Sequence, residues 1–261
     1  MDATRTLEET RKGPATGFDE SAWFATLSNC LRIEELIRRH STIMDHYDPD
    51  KRVALIVDEW GTWYDVEAGT NPAFLYQQNT LRDALVAGLT LNIFNNHCER
   101  VHMANLAQMV NVLQAVILTD GPSMITTPTY HVFDLYQAHQ GALLLPCFLE
   151  SDRYTLNGKQ MPQVSVSASR ASDEEVLLTL CNVDPHREAE IRCEVRGALI
   201  SGVSGTVLTA EEMGAHNTFQ NPERVKPSAF NAMQFDAGNM TIVLPPMSVC
   251  AFTIQVSSSS T

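Results

Sequence analysis

Positive charge is scarce in this sequence. Lys and Arg total 18 against 31 Asp and Glu, a net charge of −13. So acidic a surface repels phosphate backbones and anionic headgroups. It therefore argues against nucleic acid and membranes as partners and leaves a neutral substrate compatible. Long apolar runs are also missing: none approaches the roughly 20 residues that cross a bilayer. Met1 to Gly13 is polar and charged, with no apolar signal core. The six cysteines, at 30, 98, 147, 181, 193 and 250, contain no Cys-x-x-Cys pair and no zinc or disulfide spacing. Most lie in apolar runs, which predicts buried free thiols, a reducing compartment and a cytoplasmic location. There is no Gly-rich phosphate loop and no nucleophile-elbow serine. The nearest thing to a metal cluster is His97, Cys98, Glu99 and His102, and its spacing fits no standard pattern. No cofactor and no metal are expected.

What is present is globular composition, 44% hydrophobic over 261 residues, enough for one large domain or two modest ones. One stretch stands out: Val53-Ala54-Leu55-Ile56-Val57 runs without a turn residue into Asp58-Glu59-Trp60-Gly61-Thr62-Trp63-Tyr64. A short apolar run of this kind reads as a strand buried on both faces, as in parallel sheets. Acids at its C-terminal end fall where α/β barrels and open α/β sheets hold their chemistry.

Before this strand, the spacing predicts one helix from a Ser21 cap to about Tyr47, closed by the turn Asp48-Pro49-Asp50. After it come a long connection, a second helix over 80–95 that is apolar nearly all round, and a short strand over 101–105. Residues 106–118 read as loop plus irregular helix, and 124–127 as extended. A third helix spans 128–139, with Pro128 in its first turn and Gly141 beyond its end.

The pattern changes near Leu143. Runs such as Val164, Val166, Ala168 and Cys250, Phe252, Ile254, Val256 alternate with period two. Turns such as Asn157-Gly158 and Asp184-Pro185 separate them. The expectation is an α/β part over 1–142 followed by an antiparallel β-sandwich over 143–261. The first part is too short for a complete barrel, which needs eight strands and about 250 residues.

Glu59, walled by Trp60, Trp63 and Tyr64, suits sugar recognition, because aromatic faces pack on the C–H faces of sugar rings. Retaining glycoside hydrolysis needs two carboxyl groups about 5–5.5 Å apart. Asp58 is not expected to be the partner of Glu59, since adjacent strand residues point to opposite faces. In Ala104-Asn105-Leu106-Ala107-Gln108, the Asn105 and Gln108 amides both donate and accept, which fits ring hydroxyls. A non-catalytic carbohydrate-binding or structural module using Trp60, Trp63 and the sandwich remains open on these residues alone.

Four blocks carry a resemblance: Asp58 to Tyr64, Leu81-Arg82-Asp83-Ala84-Leu85, Met103 to Val112, and Thr127-Pro128-Thr129-Tyr130-His131-Val132-Phe133. Together, in this order and spacing, they resemble family 51 of the glycoside hydrolases, the α-L-arabinofuranosidases, over about residues 17 to 145. The resemblance implies a retaining exo-enzyme that removes terminal α-L-arabinofuranosyl groups, on a (β/α)8 barrel with a C-terminal β-sandwich. It puts Glu59 on the nucleophile at the end of the seventh strand and Gln108 on a residue contacting the arabinose. Trp63 falls on an aromatic of the pocket. A related retaining glycosidase such as a xylosidase stays as an alternative.

The family's acid/base glutamate belongs to an Asn-Glu motif far upstream, and nothing before Glu59 matches it; Glu8-Glu9 and Glu34-Glu35 do not fit. The expectation is the C-terminal part of such an enzyme: the last strands of the barrel plus the sandwich. Inactivity of the chain alone follows, as does association, as a homo-oligomer or through an exposed barrel edge.

Overall fold

The structure, a computed structural model, describes residues 12–236 and 238–258. Glu8 and Glu9 lie outside the described residues. Two helices, α1 (Glu20–Cys30) and α2 (Arg32–Tyr47), stand where one was expected, and the break falls at Leu31. The cap is Asp19 rather than Ser21: its carboxylate accepts from the Ala22 N–H at 2.9 Å, satisfying one orphan donor of the first turn. Trp23, Phe24, Leu27 and Cys30 give α1 a buried stripe, whereas α2 buries only Ile33 and Ile37. At the end of α2 the buried Arg100 side chain holds Asp48 at 3.0 Å, the Val53 carbonyl at 2.8 Å, and Asp45. This fixes the entry to strand β1 (Leu55–Trp60).

Helix α3 (Leu81–Asn96) begins in a capping box, with the Thr80 side chain and the Asp83 carboxylate each bonding the other's backbone. It is buried along nearly its whole length, as its uniform apolar character predicts. Strand β2 (Val101–Leu106) follows and pairs in parallel with β1. Residues 106–118 hold no helix. The hairpin of β3 (Ile117–Asp120) and β4 (Ser123–Thr126) follows, and then α4 (Pro128–Tyr136), capped by Thr127 with Pro at its start.

From Leu143 the chain is all strands: β5 (Leu143–Leu145), β6 (Arg153–Leu156), β7 (Lys159–Pro162), β8 (Val164–Ser172), β9 (Glu175–Asn182) and β10 (Ala189–Glu194). They continue with β11 (Ala198–Leu208), β12 (Ser228–Ala229), β13 (Met233–Phe235), β14 (Asn239–Leu244) and β15 (Ser248–Ser258). A six-stranded sheet of order β12-β11-β15-β9-β8-β5 faces a three-stranded sheet of order β10-β14-β13, every pair antiparallel. Leu178, Leu180, Ile242, Leu244, Phe252 and Ile254 form part of the core of this sandwich.

The two parts share a second core. Trp23, Leu85, Leu89 and Phe94 cluster with Cys181, Val183 and Val249 of the sandwich, and the Trp23 indole N–H donates to the Val183 carbonyl at 3.0 Å. Helix α3 approaches the large sheet so closely that a Cβ at Gly88 would meet the Cys181 sulfur at 2.6 Å. Only glycine permits that contact. The fold is thus the C-terminal portion of a (β/α)8 barrel followed by a β-sandwich, and the helices of the barrel portion are seated on the sandwich.

Strand β1 is not buried on both faces as its sequence implies. Leu55 and Val57 pack against the shared core, but Ile56 is 47% exposed. On β2, Met103 is 52% exposed beside it. Among the described residues no strand covers either edge of this pair, so the side chains suited to a barrel interior face outward.

Candidate active site

The end of β1 departs from simple alternation. Val57 pairs with Ala104 and Trp60 with Leu106, so two residues, Asp58 and Glu59, stand against the single Asn105. This is a β-bulge, which leaves the extra residue unpaired and re-aims side chains. It allows Val57 and Trp60 both to face the helices while Asp58 and Glu59 are both exposed. Asp58 lines a groove of about 210 Å³ between β1 and α2, beside Ile33, Ile37 and His40.

Asn105 and Gln108 are exposed, Asn105 directly opposite the bulge. Trp63 is half-buried, with the Lys12 ammonium 3.8 Å over its ring. Trp60 is elsewhere. It is 4% exposed, edge-on to Phe94 at 5.6 Å and stacked with Phe133 at 6.0 Å. The expectation that Trp60 walls a sugar is corrected: its side chain belongs to the shared core, because the bulge turns residue 60 toward the helices.

Beneath the exposed groups lies a buried polar scaffold that sequence reasoning missed. The Gln114 carbonyl oxygen accepts from the Thr62 N–H at 3.0 Å, and its amide donates to the Asp83 carbonyl at 2.8 Å. The Gln114 N–H donates to the Ala107 carbonyl at 2.9 Å, and the Ala107 N–H to the Trp60 carbonyl at 2.8 Å. One amide side chain thereby joins the loops that leave β1 and β2. The Gln77 side chain clasps the same turn, accepting from the Tyr64 N–H at 2.8 Å and donating to the Thr62 carbonyl at 3.2 Å. Gly61, at φ 136°, is required here: a Cβ would lie 3.3 Å from the Gln114 oxygen in a backbone conformation closed to L side chains. The signal that could have found Gln114 is a lone amide in the apolar run Val112 to Leu118, since a buried amide must be partnered.

The charged members are fully enclosed. Asp83 accepts from the Thr62 hydroxyl at 2.6 Å and from the Thr80 N–H at 2.8 Å. Burial pushes its carboxyl above the usual range, opposed by Arg82 and these hydrogen bonds. The Arg82 guanidinium lies 3.6 Å from the Phe18 ring centre and 4.0 Å from that of Tyr64, and it donates to the Pro14 carbonyl at 3.1 Å. Burial raises the Tyr64 phenol in turn. These groups are shut off from solvent, so their role is to hold the 61–64 turn.

His97, Cys98, Glu99 and His102 do not converge. Among the described residues no group of three or more His, Cys, Asp or Glu is placed to hold a metal. His97 instead lies 3.7 Å from Glu34 of α2. All six cysteines are unbonded; Cys30, Cys181 and Cys250 are buried, Cys193 is partly buried, and Cys98 and Cys147 are exposed. No helix among the described residues is long and apolar enough to cross a membrane.

A carboxylate at the C-terminal end of a parallel strand, with helices outside and a sandwich packed behind, is the arrangement of the C-terminal portion of a (β/α)8 barrel with a fused β-sandwich. The family model for the α-L-arabinofuranosidase C-terminal domain matches residues 58–248, and the chain belongs to that family. It is 42% identical over 245 residues to an intracellular exo-α-L-arabinofuranosidase of Bacteroides ovatus, covering 94% of this chain and 48% of that protein. The solved family 51 arabinofuranosidase of Xanthomonas axonopodis pv. citri superposes with a TM-score of 0.92 at 48% identity, over 94% of this chain and 50% of that one. An α-L-arabinofuranosidase from Thermotoga maritima, solved with arabinose, shares the fold at 24% identity and a TM-score of 0.78. The chain spans about half the length of these relatives.

Proposed function

We propose that this chain carries the nucleophile half of a retaining exo-α-L-arabinofuranosidase, acting on terminal α-L-arabinofuranosyl groups of polysaccharides or oligosaccharides. The observation that carries the reading is the placing of Glu59: exposed at the bulge that ends β1, opposite Asn105, above a buried scaffold that fixes the following turn.

In this reading the Glu59 carboxylate attacks the anomeric carbon. A glycosyl ester forms as the bond to the leaving oxygen breaks, and an acid protonates that oxygen. Water then attacks the same carbon, gives its proton to the conjugate base of that acid, and frees Glu59. Two inversions give net retention. Trp63 and the Gln108 and Asn105 amides hold the sugar, the ring by its apolar face and the amides by its hydroxyls.

The acid/base group is not assigned to any carboxylate of this chain. Glu34 is engaged with His97 on α2, and Asp58 turns into the β1–α2 groove. Without general acid assistance the rate falls by about 10²–10⁴, and pocket walls supplied by other strands are needed to bind the transition state. The chain assayed alone therefore has no significant activity. Its free thiols, and the intracellular relative from Bacteroides ovatus, support a cytoplasmic location.

The test is a single polypeptide in which the first half of the Xanthomonas relative precedes this chain. The fusion hydrolyses a nitrophenyl α-L-arabinofuranoside, and Glu59→Gln removes that activity while leaving the melting temperature unchanged. A fusion that folds and shows activity equal with and without Glu59→Gln would overturn the assignment.

A further inference from the structure

We propose that Asn217, on the long sandwich loop between β11 and β12, is a positioning residue for the candidate site. It ties the sandwich to the loops that follow β1 and β2, and through them to the turn behind Glu59. The consequence for activity rests on the glycosidase reading; the coupling itself does not.

The loop spans residues 209–227 without helix or strand. Connections within a compact domain are usually much shorter, and loops of this length are commonly functional. Its path is fixed by contacts to the barrel portion. The Ala215 carbonyl accepts from the Leu81 N–H at 2.8 Å, satisfying a first-turn donor that α3 itself leaves orphaned. Phe219 packs on the small cluster of Ala115, Leu118 and Ile125. Between these two anchors Asn217 is buried, and its amide is fully used. Nδ2 donates to the Thr126 and Val225 carbonyls, each at 3.0 Å, and Oδ1 accepts from the Val225 N–H at 2.7 Å. The Asn217 carbonyl accepts from the Gln78 side chain at 3.3 Å. Two donors and one acceptor in this arrangement suit asparagine. A carboxylate would face two carbonyls, and alanine would withdraw the partner of two carbonyls and an N–H away from water.

These anchors lie next to the groups that hold the 61–64 turn. Gln78 follows Gln77, whose side chain bonds the Tyr64 N–H and the Thr62 carbonyl. Ala115, under Phe219, follows Gln114, whose side chain accepts from the Thr62 N–H. Thr126 precedes Thr127, whose hydroxyl donates to the Ala115 carbonyl at 2.8 Å. Each amide that clasps the turn is therefore one residue from a position held by the sandwich loop. The Leu81 bond adds a third path, through the first turn of α3, where Asp83 accepts from the Thr62 hydroxyl.

The experiment uses the fusion with the first half of the Xanthomonas relative. It compares Asn217→Ala with Ile242→Val, which opens a cavity in the sandwich core. Hydrogen exchange, read well below the melting temperature, follows peptides covering residues 61–64, and arabinofuranoside hydrolysis gives kcat and KM. Asn217→Ala is expected to speed exchange in the turn about tenfold or more, as local opening becomes easier. It lowers kcat about tenfold or more with a smaller rise in KM, because a small misplacement of a reacting group is costly. Ile242→Val leaves exchange in the turn and kcat unchanged. Phe219→Ala shows the Asn217→Ala pattern more weakly, and carries the test if Asn217→Ala does not fold. A folded, unsubstituted fusion without hydrolysis counts against the glycosidase reading, and exchange then decides the coupling by itself. Exchange in the turn that is unmoved by the loop variants, or moved equally by Ile242→Val, would overturn the coupling. A kcat that holds while exchange speeds up would overturn the positioning role.

Discussion

The Thr62 hydroxyl donates to the Asp83 carboxylate at 2.6 Å, with both side chains buried. This bond ties the turn that follows the candidate nucleophile strand to the first turn of α3. Asp83 also closes the capping box of that helix, so one carboxylate serves the helix start and the site loop together. Thr62→Val leaves one carboxylate oxygen without its donor in a site shut off from water. The expected cost is about 1–3 kcal/mol of stability, read by urea unfolding. In the completed enzyme the same change lowers kcat more than it raises KM, because it shifts a positioning group. An unchanged unfolding midpoint would show that the bond contributes nothing.

Trp60 and Trp63 separate by role. Trp60→Ala empties a core position between Phe94 and Phe133, and the expected loss is about 3–5 kcal/mol. Trp63→Ala removes a half-buried ring, costs less stability, and impairs sugar binding in the completed enzyme. Paired melting curves and substrate titrations distinguish the two; equal destabilisation by both changes would contradict the assignment of Trp63 to the site.

His139 gives the fold a pH dependence. It sits where the barrel portion meets the sandwich, with Nδ1 2.7 Å from the Ser169 hydroxyl and Nε2 3.2 Å from that of Thr179. Burial lowers its pKa from the ordinary 6.5 to about 4. The unfolded chain takes up a proton as the pH falls through 6.5, while the folded chain does not until about 4. Stability contributed by neutral His139 is therefore present above 6.5 and is lost as the pH falls toward 4. The slope is at most about 1.4 kcal/mol per pH unit. In His139→Gln the curve of stability against pH flattens across that window. A wild-type curve that stays parallel to the variant's would contradict it.

Much of the architecture was legible in the sequence because it rests on local patterns. Period-two alternation marks β15, continuous apolarity marks α3, and Pro128 with Gly141 brackets the last helical segment. What failed depends on tertiary context. Alternation cannot reveal a bulge, so it hides the side taken by Trp60. Leu31 has no helix-breaking chemistry, so the boundary between α1, which packs inward, and α2, which stays largely exposed, leaves no local signal in the sequence. Residues 106–118 are apolar without a period. Their loop is held by the side chain of Gln114, whose partners lie 31 and 52 positions away at Asp83 and Thr62. The candidate site residues are legible as types, a carboxylate and two amides after successive strands; Glu59, Asn105 and Gln108 are all exposed, and their roles are proposals.

The central claim is that Glu59 forms the glycosyl ester. The most direct measurement is peptide mapping by mass spectrometry of the completed enzyme after reaction with an activated deoxyfluoro-α-L-arabinofuranoside. Its good leaving group needs no acid, and its fluorine slows release of the ester. The predicted result is one arabinosyl adduct, on the peptide containing Glu59 and lost in Glu59→Gln. An adduct on another carboxylate, or turnover with inversion at the anomeric carbon, would contradict the account.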